Sequence, residues 1–90
     1  MLEVAMELID KKQIGARLKA LRKEHGLKQR EVAEILHIAQ SSYADYESGR
    51  NLITMESAIR LAKKYKCSID YIIGNYKYWM KRFIWTMQAI

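Results

Sequence analysis

Ninety residues with a formal charge of +6, no proline, four glycines and one cysteine set narrow bounds. The length holds one compact domain, the scarcity of breakers favours helices with short joints, and Cys67 alone makes neither an internal disulfide nor a cysteine-based zinc site. Sixteen Lys and Arg against ten Asp and Glu point to a polyanionic partner, nucleic acid before an anionic membrane surface.

Residues 1–9 admit two readings. Leu2, Val4, Met6 and Leu8 alternate as in a strand, while Leu2, Met6 and Ile9 also form a helical face. The stretch through Asp10 carries Glu3 and Glu7 and no base, unlike a signal peptide. No apolar run approaches the ~20 residues of a membrane span. A lone cysteine fits a reducing cytoplasm, which is the expected location.

Asp10 looks like a helix N-cap, with Gln13 completing a capping box. A helix then covers about 11–25, with Ile14, Leu18 and Leu21 as its apolar stripe and Lys11, Lys12, Lys19 and Lys23 largely off it. Gly26 stands where a left-handed backbone ends such a helix. A second, shorter helix spans about 28–36, with Val32, Ala33, Ile35 and Leu36 inward. The joint His37-Ile38-Ala39 leads into a third helix, 40–48, stopped by Gly49. Thr54 caps a fourth helix to about Tyr65, whose inward set reads Met55, Ala58, Ile59, Leu61, Ala62 and Tyr65. Ser68 begins a short fifth helix that closes at Gly74.

The second and third helices form the pattern that carries function. Val32, Ala33, Leu36, Ile38, Tyr43 and Tyr46 fall where a helix-turn-helix needs inward residues, with a small Ala33 at the crossing. Gln40, Ser41, Asp45 and Ser48 are left on the outer face of the later helix, the face that meets the major groove in this motif. His25 and His37 read as a helix end and a turn rather than as ligands, and Cys67 as a small buried filler.

Leu27-Lys28-Gln29-Arg30-Glu31-Val32-Ala33, then Tyr46-Glu47-Ser48-Gly49-Arg50, then Leu61-Ala62 and Ser68-Ile69-Asp70-Tyr71-Ile72-Ile73-Gly74 together resemble the Xre/Cro phage-repressor type of helix-turn-helix regulator. The likeness covers about residues 13–74. It implies an all-α, compact five-helix DNA-binding domain, preceded by an extension (1–12) and followed by an extra C-terminal helix (75–90). The resemblance also implies a role for each of several residues. Gln29, at a helix N-terminus, would hold a phosphate, flanked by Lys28 and Arg30. Gln40 would be the leading base reader, because its amide can pair with adenine N6 and N7. Ser41, Ser42 and Asp45 would face the DNA beside it, and Arg50 and Asn51 would sit at the backbone after the recognition helix. Arg22 and Glu47 would form an ion pair bracing that helix against the first.

Lys28 and Ala39 replace the hydroxyl caps usual in the family, and His37 stands at a turn position where glycine is common. The recognition helix holds Asp45 and Glu47 but no base, so attraction to phosphate must come from its flanks. In the tail, Tyr76, Met80, Phe83, Met87 and Ile90 step by four and three along one seam. That seam either folds back on its own domain, pairs with a second copy, or, with Trp79, Trp85, Lys77, Lys81 and Arg82, lies in a lipid interface. A homodimer on a palindromic operator is the reading it favours.

Function follows as sequence-specific double-stranded DNA binding by a transcriptional regulator, a repressor in the first instance. The alternative is an antitoxin-type interaction module that grips a partner protein and also binds DNA. The sequence offers no metal-ligand cluster, no phosphate-cradling glycine loop and no nucleophile with an evident base, so neither a cofactor nor an enzymatic activity is expected.

Overall fold

The computed structural model describes residues 10–74, which form five helices: α1 (Lys11–Glu24), α2 (Gln29–Leu36), α3 (Gln40–Ser48), α4 (Met55–Tyr65) and α5 (Ile69–Ile73). The two readings of residues 1–9 and the tail seam at 76–90 lie outside these residues. α1 begins at Lys11, inside the stretch set apart above as an extension, because the Asp10 carboxylate accepts the backbone N–H groups of Lys12 (3.0 Å) and Gln13 (3.3 Å). Two otherwise unpaired amides of the first turn are thereby satisfied. At the other end Gly26 takes φ +68°, and the Leu27 N–H reaches back to the Arg22 carbonyl at 3.0 Å. His25 is the cap rather than the last helical residue.

The core is one cluster fed by every helix. Ile14, Leu18 and Leu21 of α1 meet Val32, Ala33 and Leu36 of α2, Tyr43 and Tyr46 of α3, Leu61 and Tyr65 of α4, and Ile72 of α5. Cys67 is fully buried among them as expected. The stripe anticipated for α1 is the buried one, and Lys11, Lys12, Lys19 and Lys23 are exposed.

α4 departs from its expected face. Met55 is 66% exposed and Ile59 38%, whereas Ser57 is 5% exposed. At 100° per residue the buried arc Ser57, Ala58, Leu61, Ala62 and Tyr65 is already full, and Met55 and Ile59 fall on the flank beyond it. The Ser57 backbone N–H donates to the Thr54 hydroxyl (3.2 Å), which caps the start of α4. Ile35, also expected inward, is only half-buried at the edge of the same flank.

Two close contacts set how α1 sits on the rest. Gly15 faces α3 so tightly that a Cβ there would overlap the Glu47 carbonyl oxygen and come within 2.5 Å of the Tyr46 carbonyl oxygen. An α1 interior glycine thus lets two helix backbones approach, at the usual propensity cost of about 1 kcal/mol. Two residues later Arg17 donates from Nη1 to the Tyr71 carbonyl of α5 at 2.9 Å, with its guanidinium 5.1 Å from the Tyr71 ring centre. A cation on the last turn of a helix also meets the negative end of its dipole.

Candidate nucleic-acid interface

α2 and α3 form a hairpin whose joint is set by backbone geometry. His37 adopts φ 59°, ψ 43°, and this left-handed residue lets the Ile38 N–H return to the Ala33 carbonyl at 3.0 Å. Ile38 then packs on the core from the joint. Neither helix start has a side-chain cap of its own. At Lys28 the lost cap is partly replaced: the Glu31 carboxylate accepts the Lys28 backbone N–H at 2.7 Å. At Ala39 no side chain does so.

The orientation of α3 is fixed from its buried side. Tyr43 and Tyr46 enter the core edge to face, with ring centres 6.4 Å apart, as expected for core residues rather than base-stacking platforms. Next to them Glu47 receives Arg22 through both oxygens, Nε to Oε2 at 2.6 Å and Nη2 to Oε1 at 3.1 Å. The side chains of Arg22 and Glu47 are only 12% and 4% exposed. Arg22 also donates to the Leu27 carbonyl (2.9 Å), so one guanidinium ties α1, the α1–α2 turn and α3 together. The expected brace is present in bidentate form.

Burial by itself would push the Glu47 carboxyl up, but hydrogen bonds from Arg22 and Gln29 and the Arg22 charge outweigh it, and the group is held below the usual carboxylate range. The Glu47 hydrogen bond in turn raises Arg22. Two phenols share the same pocket. Burial first, and then the Glu47 carboxylate, push Tyr65 up to about 12 and Tyr43 higher still. Both hydroxyls are buried and close no hydrogen bond of good geometry among the described residues. All of this keeps the negative charge of Glu47 internal to the scaffold.

The outer side of the hairpin has a different character. Gln40, Ser41 and Ser42 form the exposed first turn of α3, and Lys28 and Arg30 flank the start of α2, also exposed. The free amides of a helix N-terminus add partial positive charge at both places. The Gln29 side-chain amide also donates to Glu47 Oε1 at 3.0 Å. Gln29 therefore extends the brace, which no pattern in the sequence announced.

Past α3, Gly49 takes φ +83° and turns the chain so that the Arg50 and Asn51 N–H groups both reach the Asp45 carbonyl, at 3.0 and 3.2 Å. The Asp45 carboxylate lies 3.8 Å from Arg50 Nε and accepts from the Asn51 amide at 3.5 Å. Arg50 remains 77% exposed, free to reach outward, while Asp45 is half-buried against the loop it organises. The expected interface residues thus gather on one hairpin and the turn after it. Gln29 and Asp45 have structural partners there, and Gln40, Ser41, Ser42, Lys28, Arg30, Arg50 and Asn51 are presented to solvent.

Comparison with known proteins places this hairpin. A helix-turn-helix family model matches residues 18–72, which span most of the described helices. The chain belongs to the helix-turn-helix family, in the Xre-type branch that its motifs resemble. It is 41% identical over 58 residues to the uncharacterized HTH-type transcriptional regulator YobD of Bacillus subtilis (strain 168), covering 64% of this chain and 52% of that protein. It is 36% identical over 63 residues to the cryptic phage CTXphi transcriptional repressor RstR of Vibrio cholerae, covering 70% of this chain and 56% of the repressor. The crystal structure of a transcriptional regulator from Listeria innocua superposes with a TM-score of 0.67 at 38% identity, over 71% of this chain and 60% of that one. The chain therefore spans little more than half the length of these relatives.

Proposed function

We propose that this protein binds double-stranded DNA sequence-specifically and regulates transcription, as a repressor, in the cytoplasm and without enzymatic turnover. The observation that carries this reading is the contrast between the two sides of α3. Its inner side is locked by Tyr43, Tyr46 and the Arg22–Glu47–Gln29 cluster, and its first turn presents Gln40, Ser41 and Ser42 unobstructed. A rigid helix with short polar side chains at its leading end suits docking into a major groove roughly 12 Å wide. Gln40 reads an adenine, and Ser41 and Ser42 touch neighbouring bases or phosphates. Lys28, Arg30, Arg50 and Asn51 grip the two flanking backbones and set the register.

Two copies act together on a palindromic operator, with the seam of Tyr76, Met80, Phe83, Met87 and Ile90 joining them. Recognition helices about 34 Å apart then meet successive turns of the groove. The test is footprinting on the intergenic DNA beside the gene, with sedimentation equilibrium on the same protein. The reading expects a protected inverted repeat and a dimer. Absence of binding to any genomic fragment, with capture of a protein encoded next door, would favour the interaction-module alternative instead.

A further inference from the structure

α4 presents a second face that the core does not use. Met55 and Ile59 stand exposed one turn apart, Lys63 continues their row, and Arg60 and Lys64 run beside it at the same four-residue step. With Ile35 of α2 they line an open groove of about 840 Å³. Arg60 pairs with Glu56 at 3.2 Å, but no ion pair to Lys63 or Lys64 forms among the described residues. The groove is therefore apolar at the Met55 end and cationic at the other. Met55 also lines a smaller apolar cavity of about 150 Å³ together with Ile14, in the first turn of α1. Met55 thus lines both the groove and the cavity that Ile14 borders.

We propose that this groove is filled by the chain's own residues 1–9, folded back in cis from Asp10. The segment is apolar at Leu2, Val4, Met6, Leu8 and Ile9, acidic at Glu3 and Glu7, and carries no basic side chain. At a period of 3.6 it offers Leu2, Met6 and Ile9 on one face with Glu3 and Glu7 on the flank beside them. Direction agrees as well. Traced back from Asp10, the apolar pair Ile9 and Leu8 meets Met55 first, and Glu3 arrives last, at Lys63 and Lys64. Nine residues reach about 13 Å as a helix, which matches the span of about 12 Å between Met55 and Lys63 along α4. Charge argues against the other occupants. Residues 75–90 contain Lys77, Lys81 and Arg82 and no acidic side chain, so they share the sign of the groove, as would the same groove on a second copy.

The test is a charge-swap cycle on the full chain at low salt. Glu3→Lys with Glu7→Lys, and separately Lys63→Glu with Lys64→Glu, should each lower Tm by about 2–4 °C, the scale of two exposed ion pairs in a small domain. The fourfold swap should regain most of that loss, and the difference should shrink in 1 M salt. In the unmodified protein, NOEs should join the Ile59 methyls to methyls of Leu2, Met6 or Leu8 within one molecule. Additive losses in the fourfold variant would overturn the proposal. So would the absence of those NOEs, or their appearance only between differently labelled copies.

Discussion

Gly15 of α1 and Glu47 of α3 meet backbone to backbone, at a spot where a single added methyl overlaps a carbonyl oxygen. The same Glu47 is held by Arg22, from two turns further along α1. The two contacts act on one residue from two sides: the glycine allows the approach, and the ion pair fixes its rotation.

Gly15→Ala is accordingly expected to destabilise the domain, although alanine is the better helix former by about 1 kcal/mol. Overpacking against rigid backbone typically costs about 1–3 kcal/mol, so after the alanine gain the net loss should reach about 2 kcal/mol. Urea unfolding monitored by circular dichroism measures it. An alanine variant as stable as the parent would mean that α1 and α3 can separate freely.

Glu47 makes stability depend on acid. Its folded pKa lies below the ordinary 4.5, so it contributes stability that is present above about pH 4.5 and is lost as pH falls through the folded value. Glu47→Gln should lower stability at neutral pH by about 3 kcal/mol, because Arg22 is left buried without its counter-charge. The same variant should also show a flatter decline between pH 5 and 3. Thermal melts across that range check both slopes, and parallel curves for the two proteins would remove Glu47 from the acid response.

His37 holds a left-handed backbone with a side chain attached. Non-glycine residues there carry strain of about 1–2 kcal/mol, partly offset because glycine has more freedom to lose on folding. His37→Gly should therefore stabilise the domain by about 0.5–1 kcal/mol without disturbing α3. A lower melting temperature for the glycine variant would show that the imidazole makes a contact worth more than the strain.

Helix periods and end signals made most of this arrangement legible in the sequence. Asp10, Thr54 and Ser68 cap the helices they precede, and the inward residues of α1 and α3 are the buried ones. The Arg22–Glu47 pair was legible only through the family likeness, because its partners lie 25 positions apart. What escaped has physical reasons. Met55 and Ile59 read as inward by hydrophobicity, which alone does not say when a helix arc is already full. Gly15 gave no local sign that a neighbouring backbone needed its space. Arg17 binds a backbone carbonyl, and such an acceptor has no side-chain signature. The bond from the Gln29 amide to Glu47 spans 18 positions and likewise leaves no local signal.

Base reading and backbone gripping should separate cleanly in competition binding on an operator and its single-base variants. Gln40→Ala should cost about 1–3 kcal/mol on the preferred operator and relax discrimination at one base step. Arg50→Ala should weaken every sequence alike and flatten the salt dependence. Equal losses on all variants for both substitutions would take Gln40 out of the reading role.

The central claim, that the polar leading end of α3 docks on DNA with basic flanks gripping phosphate, is tested most directly by the salt dependence of affinity for duplex DNA. Neutralising several phosphates releases their counterions, so log K should fall linearly with log salt, with a slope near −0.9 for each phosphate contacted. Fluorescence anisotropy on a footprinted operator should give a slope of about −3 or steeper, reduced by about one unit in Arg50→Ala. Affinity that barely changes with salt, or an Arg50 variant with the parental slope, would contradict the account.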